Sequence, residues 1–418
     1  MPFINGIDTT LINGLGQIGV TPPTVYPSGG LVVNSAALKP SLLQSNGIIF
    51  PTGSSYFYSR PNRMDSASLG TSDWTKIVGN NFGFYLLSSS GELYAIGTNV
   101  SYTGTGKTNT LAKVTTGSNG WTDIAAGTSF VVGICDSKLF ALGVNNNGQF
   151  GRGNTTSIFT NFGIINNNAW WTKVSAGNDF VMVISGSGGS GSIFSAGNNV
   201  SGRTGQNTAT GNTLTFTQPV NFVGSIFTDV SCGDDFALAI SASNIYGTGE
   251  NGDYTLGNGN QTDRTTFGLV SSTSTFTRVF AFTDFSKAIG TTGSHFHTGN
   301  ENNTRGDNSN TAVTTWTRLN TTGQLTASWE NFYSYHLSLI SPGVIGVNNK
   351  RPYFIGQNTT NTEWMPSSSW GQYNQTATGT WTAFVSSSSN VSCSAAAWAP
   401  GALGITEPLL MINLTPSS

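Results

Sequence analysis

Hydrophobic and polar positions alternate along most of this chain, and the alternation is organised as a repeated two-part phrase. The first part is an aromatic residue, mostly as Trp-Thr, with an aliphatic residue three positions on. Good copies add a small pair, Gly, two polar residues and Phe. It reads WTKIVGNNF from Trp74, WTDIAAGTSF from Trp121, WTKVSAGNDF from Trp171 and FTDVSCGDDF from Phe227. Weaker copies begin at Phe276, Trp329 and Trp381. The second part is an aromatic three residues before a glycine: Phe50/Gly53, Tyr94/Gly97, Phe140/Gly143, Phe194/Gly197, Tyr246/Gly249, Phe296/Gly299 and Tyr353/Gly356. Short alternating runs bounded by Gly and polar residues predict β-strands. In the copy from Trp121 the strands fall at Trp121–Ala125, Phe130–Ile134, Leu139–Leu142 and near Phe159–Ile165.

A unit of roughly 50 residues is the period of an array or a propeller. The ends of the chain decide between them. The half-unit ending at Gly53 precedes every Trp-Thr, and Trp381 has no second half after it. An open array does not need complementary ends, whereas a closed ring does, because closure leaves no sheet edge bare. The expected fold is therefore all-β: a seven-bladed β-propeller whose N-terminal strands close the last blade. Asn46–Gly53 is expected to pair with strands starting at Trp381 and near Val391. The small pairs (Ala125-Ala126, Ser175-Ala176, Ser231-Cys232) are expected at the crowded axis, and the repeat aromatics between neighbouring blades.

This pattern divides the chain into a propeller over residues 46–400, an N-terminal arm over 1–45 and a C-terminal tail over 401–418. The arm matches no repeat and carries Pro22, Pro23, Pro27 and Pro40 along its length. Its apolar anchors include Phe3, Ile4, Leu11, Leu15, Ile18 and Leu31, with no helical or strictly alternating period. It reads as an extended segment that contacts other chains. The tail holds an apolar stretch, Leu409–Leu414, suited to pairing as a strand or docking on a neighbour.

Composition narrows the function. Charged residues are 9% of the 418 and net charge is −2, against about 25% charged in ordinary soluble proteins. Aromatics are 11% and recur on schedule, so the chain is an ordered β-protein with an Asn/Thr/Ser surface rather than a disordered one. The 17 Lys and Arg form no basic run, which argues against duplex nucleic acid as a partner. No window is long and apolar enough for a transmembrane helix. The N-terminal residues lack the basic start and apolar core of a signal peptide. Three cysteines without a CxxC spacing read as buried thiols.

The unit W-T-x-[IV]-x-x-G-x-x-F followed by L-[FY]-x-x-G-x-N-x-x-G-x-[FL]-G-x-G resembles the regulator-of-chromosome-condensation repeat. The segment WTDIAAGTSFVVGICDSKLFALGVNNNGQFGRG, Trp121 to Gly153, carries the resemblance most fully. The resemblance covers about residues 46–400 and implies a seven-bladed propeller closed within one blade. The family usually has His where this chain has Phe130, Phe180 and Phe236. The basic tails and acidic loop clusters of the eukaryotic prototype are missing from the sequence, so its exchange-factor role does not carry over.

Candidate chemistry is sparse. Asp179, Asp234, Asp235 and Asp284 fall in equivalent turns; they suit a cation, but Asp also favours tight turns. His295 and His297 alternate on one strand at a spacing that can ligate a metal, yet no Cys or acidic partner recurs with them and His336 is one blade away. The glycine-rich GQFGRG and GNGN lack the Lys-Ser/Thr ending of a phosphate loop. The Asn-x-Ser/Thr sequons, Asn99, Asn154, Asn199, Asn260 and Asn320 among them, are what an Asn- and Thr-rich chain produces by chance. No catalytic residue, cofactor or metal site is assigned, and no enzyme activity is expected. The reading that follows is a structural or adhesive component of a virus particle, as in a tailed-phage capsid, tail, baseplate or fibre. It would be located in the virion and contact other virion proteins through residues 1–45, with a host surface protein or glycan as further partner. The alternative is a stand-alone propeller that binds a protein through one face of the disc.

Overall fold

Runs of alternating residues fold into seven four-stranded antiparallel blades, two of them joined edge to edge by the pairing of Gly191 with Phe227, because each strand can bury one face only against the next blade. The structure, a computed structural model, describes residues 30–35, 62–63, 74–97, 103–105, 111–116, 119–167, 170–187, 190–222, 225–300, 311–319, 329–334, 343–349, 351–356, 378–383, 391–399 and 409–416. Blade 1 comprises Trp74–Asn80, Gly83–Ser88, Leu93–Gly97 and Ala112–Lys113. Blade 2 comprises Trp121–Gly127, Phe130–Cys135, Lys138–Gly143 and Ile158–Asn166. Blade 3 comprises Trp171–Ala176, Phe180–Ser187, Ser190–Asn198 and Asn212–Thr217. Blade 4 comprises Phe227–Cys232, Phe236–Ser241, Asn244–Gly249 and Arg264–Ser271. Blade 5 comprises Phe276–Ala281, Phe285–Gly290, His295–Gly299 and Val313–Arg318. Blade 6 comprises Trp329–Ser334, Gly343–Asn348, Arg351–Gly356 and Thr378–Ala383.

Blade 7 is built from both ends of the chain. Val391–Ala399 is its innermost strand and pairs with Leu409–Pro416; Gly30–Ser35 pairs next, and Asn62–Arg63 outermost. The ring thus closes within one blade, and the strand expected near Val391 is in it, but further strands of that blade come from segments assigned to the arm and the tail. Gly30–Ser35, which includes Leu31 of the expected arm, and Leu409–Pro416 of the expected tail are strands of the propeller. Asn46–Gly53, with the Phe50/Gly53 pair, and the anchors Phe3, Ile4, Leu11, Leu15 and Ile18 lie outside the described residues.

Trp381 also changes place. It lies in the fourth strand of blade 6, paired with Arg351–Gly356, rather than at the start of a blade. The physical reason is that an outer strand with one buried face carries the same alternation as an inner one. VTTWTR in the fourth strand of blade 5 and TGTWTA in that of blade 6 show the likeness.

The true innermost strands share a device that aligns them. In all seven, pairing slips by one residue just after the first repeat position: Trp74/Lys76, Trp121/Asp123, Trp171/Lys173, Phe227/Asp229, Phe276/Arg278, Trp329/Asn331 and Cys393/Ala395. The slip is a β-bulge, which leaves one residue outside the ladder. That residue is usually Thr. Its hydroxyl donates to a second-strand carbonyl: Thr75 to Leu87 at 3.2 Å, Thr172 to Ile184 at 3.2 Å, Thr228 to Ile240 at 3.5 Å and Thr277 to Ile289 at 3.1 Å. The Thr of Trp-Thr repairs the interruption that the bulge makes. The same register puts Cys393 where other blades have Trp or Phe.

The two parts of the repeat meet in an aromatic cluster. Trp74 packs on Tyr94 (5.2 Å between centroids), Trp121 on Phe140 (5.4 Å), Trp171 on Phe194 (5.4 Å) and Phe276 on Phe296 (5.0 Å). In blades 2 to 5 a fourth-strand ring joins the cluster: Phe162 on Trp121, Phe216 on Trp171, Phe267 on Phe227 and Trp316 on Phe276. These clusters fill the spaces between blades, with Trp121 against Tyr85 and Leu87 of blade 1 and Trp171 against Phe130 and Val132 of blade 2. Trp329 lies in the seam between blades 5 and 6.

The repeat glycines answer steric demands. Gly143, Gly197, Gly249 and Gly299 have φ of +115°, +115°, +103° and +110°, a region that disfavours side chains. Each pairs with the Phe opening the second strand, and a Cβ on Gly197 would lie 2.6 Å from the Phe180 Cα. Gly97 and Gly356 also end their strands, but their cross-strand partners are glycines, Gly83 and Gly343.

Two tests follow. Trp171→Ala should cost about 3–5 kcal/mol, the range for truncating a buried large aromatic, measured by chemical denaturation; a loss under about 1 kcal/mol would show that the ring contributes little to the seam. Removing residues 1–35 should leave the Leu409–Pro416 edge bare and produce aggregation visible by light scattering. A truncated chain that stays monomeric and melts in one transition would show that this closure is dispensable.

Candidate functional site

The axis of the ring is the one place where all seven blades converge, and the third position of the first repeat part lines it. Those positions are Lys76, Asp123, Lys173, Asp229, Arg278 and Asn331; in blade 7 Ala395 holds the matching register, and Ala396 and Ala397 line the channel. The inner strands surround a cavity of about 1060 Å³. Charge alternates around it. Lys76 Nζ bonds Asp123 Oδ1 at 2.5 Å and Lys173 Nζ bonds Asp229 Oδ1 at 3.1 Å, each reaching one blade on. The second oxygen of each Asp accepts from the next inner strand: Val174 N–H donates to Asp123 at 2.9 Å and Val279 N–H to Asp229 at 3.0 Å. The small pairs do the same. Cys232 N–H donates to Ser175 Oγ and Ala281 N–H to Ser231 Oγ, both at 2.9 Å.

A further tier lies at the channel mouth, in the turns between first and second strands. Asn81 N–H donates to the Thr128 carbonyl, Thr128 N–H to Asn178 and Asn178 N–H to Asp234. The blades approach so closely here that a Cβ on Gly177 would lie 2.5 Å from the Gly233 oxygen. That contact accounts for the glycine in the first repeat part.

The same face carries the loops between third and fourth strands. Each well-formed loop is organised by one buried Asn. Asn145 Oδ1 accepts from Phe150 N–H (2.8 Å), and its amide donates to the Asn154 carbonyl (2.9 Å). Asn251 does this with Leu256 (2.9 Å) and Asn260 (2.7 Å), and Asn199 with Thr204 (3.0 Å) and Thr208 (3.0 Å). The glycine-rich loops therefore spend backbone N–H groups on their own Asn and form no phosphate cradle. Asn199, one of the sequons, is buried and engaged.

The turn carboxylates gather beside these loops. Asp179 and Asp235 flank the buried Arg203, whose guanidinium bonds them at 2.8 and 2.7 Å. Asn147 and Asn198 also donate to Asp179. Burial raises the Asp235 carboxyl above its ordinary value; Arg203 opposes the rise, and Asp234 and Asp179 add to it. Burial likewise pushes Asp284 up to about 6, helped by Asp253 and Asp234. Glu250 is raised by burial first, against a bond from Gly252 N–H, with Asp263, Asp253 and Asp235 adding to it. The result is an acidic face around the channel mouth, knit by one buried cation. Two of the four expected turn carboxylates serve as partners of Arg203, whose role the sequence alone did not indicate.

The remaining candidates separate. His295 and His297 share one strand but are buried between blades 5 and 6, away from the channel. Among the described residues, no group of three or more His, Cys, Asp or Glu is arranged to hold a metal ion. Cys135, Cys232 and Cys393 are buried, and burial pushes the thiols of Cys232 and Cys393 up to about 12. No helix among the described residues is long and apolar enough to cross a membrane.

No family model and no curated protein matches the chain. Solved structures do. Human WBSCR16 superposes with a TM-score of 0.67 at 14% identity, over 93% of this chain and 99% of that one. Prp20p of Saccharomyces cerevisiae gives 0.66 at 11% identity, over 94% and 93%. Yeast RCC1 (Prp20), in a complex with Kap60, gives 0.67 at 11%, over 94% and 90%. At these identities the likeness is one of fold, and it is the seven-bladed fold that the repeat resemblance implies.

Asp284 gives the acidic face a measurable signature. Its folded value, about 6, lies above the ordinary 3.8, so its contribution is fully present below about pH 4 and is lost as pH rises through 6. Asp284→Asn should then stabilise the protein at pH 8, with the advantage vanishing by pH 4. The full shift corresponds to about 3 kcal/mol, and screening at this partly exposed carboxyl reduces the expected gain to about 1–2 kcal/mol. Thermal melts across that range check it; a destabilised variant at pH 8 would mean the carboxylate is held by a partner.

Proposed function

We propose that this chain is a non-catalytic protein-binding propeller whose partner docks on the acidic face. One observation carries the reading: the carboxylates of blades 3 to 5 converge at the channel mouth, beside loops fixed from within by Asn145, Asn199 and Asn251. A rigid, charged loop surface on a closed scaffold suits recognition, since little ordering remains to be done on binding. The expected partner surface is basic. One similar propeller, yeast Prp20p, has protein partners, with binding to Gsp1p and histones and a complex with Kap60, and a protein partner is the corresponding expectation here.

The setting we propose is a virus particle. The charge-poor, Gly/Asn/Thr/Ser-rich composition supports a structural or adhesive component exposed on a particle surface. Its contacts with other virion proteins would fall within residues 1–29, because Gly30–Ser35 is already paired inside blade 7. A host surface protein or glycan would meet the acidic face.

Cross-linking mass spectrometry on the native source separates these statements. Cross-links from 144–157, 199–211 and 250–263 to a basic protein are expected for the binding face. Recovery of the chain in purified particles, cross-linked through residues 1–29, is expected for the particle setting. A soluble complex absent from particles would leave the stand-alone binder. Partners confined to the opposite face would overturn the face assignment.

A further inference from the structure

The seam between blades 5 and 6 departs from the other seams in one respect: it contains three basic side chains. Lys287 and His297 are fully buried, and His295 is 2% exposed. Lys287 and His297 are direct cross-strand partners, as are Ile289 and His295. The corresponding pairs elsewhere are apolar or small: Tyr85 with Ala95 and Leu87 with Leu93 in blade 1, Val132 with Ala141 and Ile134 with Leu139 in blade 2. In blade 4 they are Leu238 with Gly247 and Ile240 with Ile245. Three aromatic rings surround the three groups. The His295 ring lies 4.6 Å from Phe332 and 5.5 Å from Trp329, while Phe332 and Trp329 stack on each other at 5.0 Å. His297 lies 6.2 Å from Phe285. Lys287 Nζ sits over Phe285 at 5.4 Å and Phe332 at 5.8 Å. Phe332 and Trp329 belong to blade 6, so these contacts hold one blade against the next.

We propose that this seam is an acid-sensitive joint of the ring, which loosens when His295 and His297 take up protons beside Lys287. Imidazole is the side chain whose charge changes at mildly acidic pH. A second and third positive charge in an aromatic seam carry a large desolvation cost, and they repel Lys287. Among the described residues, the other titratable groups on the packed strands are placed as follows. Arg278 is bound to the Glu330 carbonyl, Arg318 and Glu330 are exposed, and Tyr333 bonds Asn331. Gly343–Asn348 of blade 6 contributes no titratable side chain. Asp284, at the start of the second strand of blade 5, faces Asp253 and Asp234.

The sign is as follows. Burial first, then Lys287 and His297, hold His295 well below its ordinary 6.5. The unfolded chain therefore binds protons before the folded one does, and stability falls as pH drops from about 6.5 toward the folded value. Asp284 acts in the opposite direction over part of this range, so the whole-protein profile mixes both. The difference between two proteins that both keep Asp284 isolates the seam.

The test compares the intact chain with the double variant His295→Leu/His297→Ala, which installs the residues found at the matching places in blades 1 and 2. Melting temperatures are followed from pH 8 to 4.5, with hydrogen exchange at pH 7.5 and 5. The intact chain should lose more melting temperature than the variant below about pH 6.5. Its exchange at pH 5 should rise first in His295–Gly299 and Trp329–Ser334, ahead of blades 2 and 3. Lys287→Met, near-isosteric and present as Met182 in blade 3, should soften the loss. A direct histidine titration by NMR on the intact chain reads the same groups even where a variant fails to fold. Superimposable pH profiles, uniform loss of protection, or His295 titrating at an ordinary value would each overturn the proposal.

Discussion

Each blade brings an unpaired strand edge to the axis, and the rest of the structure depends on how those edges are satisfied. An innermost strand has a ladder on one side only, so half of its N–H and carbonyl groups face the channel or the neighbouring blade. Left bare and crowded away from water, such groups are costly. The chain answers with side chains placed at repeat spacing. Asp123 and Asp229 take one lysine and one backbone N–H each, and Ser175 and Ser231 take one N–H each. Hydrogen bonds to charged acceptors are worth about 1.5–3 kcal/mol, so a few of them stiffen the ring. This explains how a protein with 9% charged residues still places five of them on one circle.

The bulge after the first repeat position is the second half of that arrangement. It turns the inner strand so that the aromatic points into the seam and the third residue into the channel. Thr restores the broken ladder, and the aromatic closes on the ring that precedes the third-strand glycine. Two sequence signals about 20 residues apart are thus two sides of one contact, joined by a hairpin. The glycine must be glycine because the Phe opening the second strand occupies the space beside it, at positive φ.

The architecture was legible in the sequence because period-two alternation and repeated Trp-Thr and aromatic-x-x-Gly signals report local strand geometry directly. The joints were legible less well. Trp381 imitates an inner strand because outer strands are amphipathic too, and the real inner strand of blade 7 carries Cys393, Ala395, Ala396 and Ala397 in place of the aromatic, charged and aliphatic positions. Nothing in CSAAA signals a repeat to a reader of patterns. A comparison of TGTWTA with VTTWTR would have moved Trp381 to its correct place. Gly30–Ser35 was obscured by the prolines and glycines around it. Arg203 and the alternating Lys/Asp circle were hidden for another reason: their meaning depends on which blade follows which, and that exists only once the ring is closed.

Closure also makes the ring uneven. The carboxylate ladder runs from blade 1 to blade 5 and then stops, because the next two positions in that register are Asn331 and Ala395. Asn331 turns inward on itself, accepting from Phe332 N–H and donating to the Tyr333 hydroxyl. Arg278 reaches only a backbone carbonyl of blade 6, whereas Lys76 and Lys173 reach carboxylates. The seam holding Lys287, His295 and His297 lies where the ladder ends, and the blade assembled from both chain termini comes two places later. Among the described residues the Lys–Asp–N–H ties span blades 1 to 5, and the acidic face on blades 3 to 5 rests on that part of the circle. The proposed docking face and the proposed acid-sensitive seam therefore meet at blade 5, where Asp284 and the histidine strand are separated by a single β-strand, Phe285–Gly290.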